Sequence, residues 1–327
     1  MEPASMLDLI AADDTLNPPL TIIRYPNHIG LKMSHSVGDG RMFLTVIAAV
    51  MQTALTDGVP EWPAHPTRNP LIKAMVRTFG RYPQLIVDAV RDKVSIDEQS
   101  HQAVVEPWSG SRRTLHAWIP RARTDEFFSW GKEFAPKASR FALQVALILQ
   151  ALGQVGMQTS DDVRVLVDLR RYLGWRYVDG NFVAGVPMRV HPSMTPEELT
   201  ASIKTTNLSG RPLLNQLLTS WKTGGKPLPT DTTVDRGGLP MVTFTNMGRS
   251  PEIECLPFRD DRPPVYTSSV PPAGPWGITF LMGENPQVMS INVAFHDNVI
   301  DPSVVSEALK LASSDPIGLL KTAWEPP

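Results

Sequence analysis

Alternating and helical spacings of apolar side chains divide the chain into short extended runs and longer amphipathic ones. Residues 20–25 (Leu-Thr-Ile-Ile-Arg-Tyr) are rich in β-branched side chains. Pro26-Asn27 is a turn pair, and residues 28–34 return as a second extended run, which predicts a hairpin. Gly38-Asp39-Gly40 breaks that pattern. Phe43, Val46, Ile47, Val50 and Met51 then recur at helical spacing and predict a helix over Met42–Leu55. His35–Gly40 therefore falls on a turn between a strand and a helix N-terminus. Residues 57–70 read as loop, Leu71–Val94 as helix interrupted near Pro83, and the polar stretch 95–111 as a linker.

Beyond the linker, strands are predicted at Thr114–Ile119, Val163–Leu169, Asn181–Val190, Met241–Thr245, Gly277–Met282 and Val288–Ala294. Helices are predicted at Thr124–Phe134, Ser139–Gln154, Thr195–Thr206, Pro212–Trp221 and Ser303–Ala312. Thr124 with Asp125 and Glu126 has the composition of a helix start, and Thr195-Pro196-Glu197-Glu198 adds proline at the first helical position. Residues 222–238 are a polar Gly/Pro loop, and no internal repeat is present. Strands and helices are mixed throughout, so the class is α/β or α+β.

Composition narrows the function classes. Of 327 residues, 42% are hydrophobic and 20% charged, enough apolar mass for one large or two medium domains with real cores. The 31 Lys and Arg against 33 Asp and Glu leave a formal charge of -2, so no global basic field exists for nucleic acid or an anionic membrane. Cys255 is the only cysteine, which excludes an internal disulfide framework and a Cys-based zinc site. The start, Met1-Glu2-Pro3-Ala4, lacks the basic and apolar regions of a signal peptide, and no apolar run approaches a membrane span. A cytoplasmic location is expected.

The chemistry is concentrated in Met33-Ser34-His35-Ser36-Val37-Gly38-Asp39-Gly40. A histidine can act as general base near neutral pH without a large shift. An aspartate four positions on can fix the turn by pairing with a distant arginine, and the glycines let a substrate approach the backbone. No His-Glu-x-x-His metal motif, no Gly-x-Ser-x-Gly nucleophile pattern and no lysine-bearing phosphate loop occurs. His28, His65 and His101 read as surface residues, His116 as a packed strand residue and His296-Asp297 as structural. Arg112-Arg113 and Arg121/Arg123 read as solvated surface, with contact to a donor phosphate as the alternative.

Four stretches in order resemble the CoA-dependent acyltransferase superfamily, which includes chloramphenicol acetyltransferase and the condensation domains of nonribosomal peptide synthetases. They are Pro18-Pro19-Leu20 leading into His35–Gly40, then Val165–Arg170 ending in Asp168-x-Arg170. Gly180-Asn181-Phe182-Val183 through Arg189 and Thr243–Gly248 with Asn246 complete the set. The stretch Trp276–Phe295, followed by Asp301 and a helix, resembles the closing hairpin and helix. The resemblance implies an α+β two-layer sandwich with two chloramphenicol-acetyltransferase-like lobes, a partial N-terminal one over residues 1–100 and a C-terminal one over 101–327. It implies acyl transfer from a CoA or carrier-protein thioester to an alcohol or amine. His35 would be the base, Asp39 and Arg170 a structural pair (rivals Arg189 and Arg171), and Gly40 an open tunnel wall. Ser34, Gly38, Thr245 and Asn246 would line the tunnel. A backbone N–H near Gly40 or the Thr245 hydroxyl would face the oxyanion. No permanently bound cofactor and no metal is implied; acyl-CoA or a phosphopantetheine thioester is a co-substrate.

Two departures stand out. Ser34 occupies the place of a second histidine found in many condensation domains. The motif also comes earlier in the chain than in other members, so the N-terminal lobe is expected to be incomplete. A late start, a second polypeptide completing the lobe, or a non-catalytic remnant serving as a partner or scaffold would each account for that.

Overall fold

A computed structural model describes residues 3–12, 19–25, 27–60, 62, 65–91, 111–191, 193–223, 234, 238–254, 256, 258 and 267–324. The hairpin forms as predicted, with β1 (Leu20–Arg24) antiparallel to β2 (Ile29–Met33) and Ile22 opposite Leu31. These strands pair only with each other among the described residues. The other six strands are β3 (Arg112–Pro120), β4 (Asp162–Asp168), β5 (Val183–Arg189), β6 (Met241–Arg249), β7 (Gly277–Glu284) and β8 (Val288–His296). They form one sheet in the order β3-β8-β7-β6-β4-β5, with β4, β6 and β7 mutually parallel and the remaining pairs antiparallel. Every residue of β8 is buried, the polar Ser290, Asn292 and His296 included, whereas edge strand β3 mixes buried and exposed positions.

Helices α5 (Arg121–Phe134), α6 (Arg140–Gln154) and α10 (Pro302–Ser314) contribute to the main core with this sheet. Helix α6 presents Ala142, Leu147, Ile148 and Leu152, all nearly inaccessible, to Phe244, Phe280 and Phe295 of the strands. The Phe244 and Phe280 rings stack with centroids 5.9 Å apart. Helix α7 (Pro196–Leu208) begins at the Thr195 capping box with Glu198, as the sequence pattern requires.

A second core joins α3 (Pro70–Phe79) to α8 (Arg211–Thr223), to a 3₁₀ turn over Leu169–Leu173 and to Phe182 and Ala184. Helix α2 (Gly40–Thr56) packs Leu44 and Ile47 against Leu31, Met247, Leu256 and Phe258.

Several boundaries differ from expectation. Thr124 does not cap α5: the helix starts three residues earlier behind Pro120, and the buried Thr124 hydroxyl donates to the carbonyls of Ile119 and Pro120. The interruption expected near Pro83 is present and separates α3 from α4 (Gln84–Arg91). Strand β6 runs past Thr245 to Arg249, and β5 is shorter at both ends than predicted. Helices α1 (Pro3–Ala12), α9 (Pro251–Glu254) and α11 (Pro316–Trp324) were not anticipated. His101, Cys255 and most of the 95–111 and 222–238 segments lie outside the described residues. No helix among the described residues is long and apolar enough to cross a membrane.

Candidate active site

A cleft of about 1850 Å³ separates the hairpin, α1 and α2 from β4, β6 and the segment 267–271. Its lining includes every residue singled out from the motif: Ser34, His35, Gly38, Asp39, Gly40, Arg170, Thr245 and Asn246. The motif turn follows β2. Ser34 N–H donates to the Pro19 carbonyl at 2.9 Å, and Val37 N–H closes the turn on the Ser34 carbonyl at 2.9 Å. The Ser34 and Ser36 hydroxyls are 2.8 Å apart. His35 is exposed on the cleft wall, and no hydrogen bond or ion pair engages its ring among the described residues.

Asp39 is 2% exposed and is the hub of this turn. It caps α2, its Oδ1 accepting from Arg41 N–H at 3.1 Å and Met42 N–H at 3.3 Å. Its Oδ2 accepts from Phe182 N–H at 2.9 Å. Arg170 grips both oxygens, Nη1 to Oδ2 at 2.7 Å and Nη2 to Oδ1 at 3.3 Å. The same guanidinium donates to Asp168 Oδ1 and to the Val178 and Gly180 carbonyls. Burial lowers the Arg170 pKa, but Asp39 and then Asp168 more than offset it, and the group sits above its ordinary value. The expected pair is therefore present across 131 residues of chain. The rival Arg189 is instead 3.4 Å from Asp162.

The two motif glycines differ in what surrounds them. A Cβ on Gly38 would lie 2.4 Å from Met42 Cβ, so the first turn of α2 closes directly over it. A Cβ on Gly40 would meet Met247 Sδ at 2.9 Å, the far end of a flexible side chain across the cleft wall. Asn246 donates to Gln144 Oε1 at 2.7 Å and accepts from Gly248 N–H at 2.6 Å, so it braces β6 against α6. At the mouth, Arg41 lies 3.4 Å from Asp168 and over the Trp175 ring.

Residues the sequence reading missed line the same cleft. Met6, Leu7 and Ile10 of α1 do so, and their i, i+3/i+4 spacing was a readable signal. His28, expected at the surface, is half-buried in the cleft wall. Of the four arginines considered for a phosphate, Arg121 is taken up by Asp125 and Glu284 and Arg123 by the Ser314 carbonyl. Arg113 is 3.8 Å from Asp8, and Arg112 lines the cleft. His116 bonds Asn292 at 3.0 Å, and His296 is buried. No cluster of three or more potential metal ligands occurs among the described residues.

No family profile and no curated protein matches the sequence. Solved structures do match the fold. The epimerization domain from the third module of tyrocidine synthetase B aligns over 99% of this chain and 78% of its own, at 10% identity and a TM-score of 0.56. The condensation domain of the Monacolin K polyketide synthase MokA aligns over 91% and 72%, at 16% identity and a TM-score of 0.56. The chain has the condensation-domain fold. The PapA2 acyl transferase shares it, over 92% of this chain and 67% of its own, at 14% identity and a TM-score of 0.53. Within this fold, the buried Asp39–Arg170 pair joins the motif turn to the end of β4, and the cleft runs between them.

Proposed function

We propose that the protein transfers an acyl group from a thioester to an alcohol or amine, with His35 as general base. The donor is acyl-CoA or a carrier-protein phosphopantetheine thioester, used as co-substrate, and the reaction runs in the cytoplasm. The observation that carries this reading is an uncommitted imidazole on the wall of a large cleft, on a turn held rigid by a buried ion pair.

A ring nitrogen of His35 takes the proton from the acceptor O–H or N–H. The freed lone pair attacks the thioester carbonyl carbon, and the carbonyl electrons move onto oxygen. As that tetrahedral species collapses, the C–S bond breaks and the thiolate takes the proton from the imidazolium. Ester or amide and free thiol leave, with His35 neutral again. A positioned base contributes about 10²–10⁴-fold. Asp39 occupies the N–H groups of Arg41 and Met42, which leaves the Gly40 N–H and the Thr245 hydroxyl, both on cleft-lining residues, as the groups to face the oxyanion. The test is release of free thiol from a panel of acyl thioesters by the parent protein and by His35→Ala.

A second polypeptide or a second copy completing the N-terminal lobe (residues 1–100) belongs to the same proposal. The hairpin's two strands have no further partner among the described residues, and two-stranded sheets are marginal alone. Ile22 and Ile29 are exposed on it. Native mass spectrometry reads this directly; a strict monomer that turns over at full rate refutes it.

A further inference from the structure

Beside the cleft lies a second cavity of about 660 Å³, lined by His65, Thr67, Arg68, Lys73, Arg176 and Tyr177 among others. Its walls come from the loop before α3, the first turn of α3 and the segment after the 3₁₀ turn. Thr67 N–H donates to the Tyr177 carbonyl at 3.0 Å and ties those walls together. Among the described lining residues three are permanent cations, a fourth is a histidine, and none is a carboxylate. Arg68, Lys73 and Arg176 form no ion pair among the described residues. Nearby Arg41, by contrast, already has Asp168 and Trp175. Asp179 acts on the Tyr177 hydroxyl but stands outside the lining. The N-cap residue of α3, Asn69, makes no side-chain cap, so the positive end of that helix adds to the same field.

Uncompensated like charges gathered around a concavity are unfavourable unless an anion joins them. An anion that engages several cations at once needs acceptor oxygens pointing in several directions, which fits a phosphate ester better than a planar carboxylate. Arg176 and Tyr177 also line the main cleft, so an anion held here sits next to the reaction space. We propose that this cavity binds the phosphate of the thioester donor's arm. Its role in turnover rests on the acyl-transfer reading; the binding itself does not. Coenzyme A and a carrier-borne phosphopantetheine share that phosphate ester, and it is the shared chemistry the pocket recognises.

The experiment compares 4′-phosphopantetheine with pantetheine by calorimetry, on the parent protein and on Arg68→Gln/Lys73→Gln. Neither substituted residue lines the main cleft. The parent is expected to bind the phosphorylated compound about tenfold more tightly, as two or more exposed charge pairs allow. That preference should shrink with added salt. The double variant should lose it while its affinity for pantetheine and its circular dichroism stay unchanged. Equal binding of the two compounds by the parent overturns the proposal, as does a preference that survives in the variant. Tighter binding of coenzyme A than of 4′-phosphopantetheine, lost in the same variant, identifies free coenzyme A as the source. Equal affinity for those two, together with tighter binding of a phosphopantetheine-bearing carrier protein than of the same carrier without the arm, identifies a carrier-borne source. A phosphate preference in a protein that turns over no thioester leaves the pocket standing and removes the acyl-transfer reading. Turnover without the preference does the reverse.

Discussion

Replacing Asp39 by alanine removes five hydrogen bonds from one buried carboxylate: two from Arg170, two from the first turn of α2 and one from Phe182. Loss of a helix cap costs about 1 kcal/mol, and stripping one partner from a buried ion pair costs about 3–5 kcal/mol. Arg170 keeps Asp168 and the Val178 and Gly180 carbonyls, so its charge is only partly stranded. The expected loss is therefore about 3–4 kcal/mol, a large share of the roughly 5–15 kcal/mol that holds a typical domain together. Urea denaturation followed by circular dichroism measures it, provided the m-value is unchanged. Asp39→Asn keeps a capping oxygen while losing the charge, and should fall between parent and Asp39→Ala if the latter does not fold. Arg170→Met combined with Asp39→Ala should cost about 1 kcal/mol or more less than the sum of the single losses, because neither partner is then left unpaired. A loss under about 1 kcal/mol for Asp39→Ala, or strict additivity, would show that the pair does not hold the turn.

Three further outcomes follow from local geometry. Gly38→Ala should destabilise by about 1–3 kcal/mol, because the new methyl meets Met42 Cβ, which cannot move without the helix; an unchanged urea midpoint refutes this. Gly40→Ala should leave stability nearly unchanged and lower thioester turnover, because only the Met247 tip must shift and it shifts along the cleft wall; unchanged turnover counts against Gly40 shaping that wall. Asp8 behaves differently with pH: burial, outweighing Thr114 and the two neighbouring arginines, raises its pKa. Ionisation of Asp8 therefore works against folding. Its contribution is favourable below the unfolded value and is lost as pH rises through the higher folded one. Asp8→Asn should raise the melting temperature relative to the parent more at pH 7 than at pH 3, and an equal difference at both excludes this burial effect.

The strands of the main sheet and the amphipathic helices over it were readable because each carries its own period. The Gly38-Asp39-Gly40 break, the helix start at Thr195-Pro196 and the split at Pro83 are equally local signals, and each lies where expected. The Asp39–Arg170 partnership depends on tertiary structure, since only the fold brings residues 131 positions apart together. It was legible through resemblance, while the residues alone left Arg189 and Arg171 open. Thr124 misled because a hydroxyl inside a first turn and one at a cap look alike in sequence; Pro120 took the capping position. The cavity at Arg68, Lys73 and Arg176 was invisible for a similar reason. Its cations come from segments about a hundred residues apart, and none forms a charge run. Helix α1 was overlooked although Met6, Leu7 and Ile10 carry helical spacing, because the stretch is short.

Central to all of this is one imidazole acting on an acceptor proton. Thiol release from acyl thioesters, in the presence of alcohol or amine acceptors and with parent and His35→Ala measured side by side, tests it most directly. The account predicts turnover by the parent, a fall of about 10²–10⁴-fold in the variant, and nearly unchanged urea stability because His35 is exposed. A folded His35→Ala protein that releases thiol at the parental rate would contradict it.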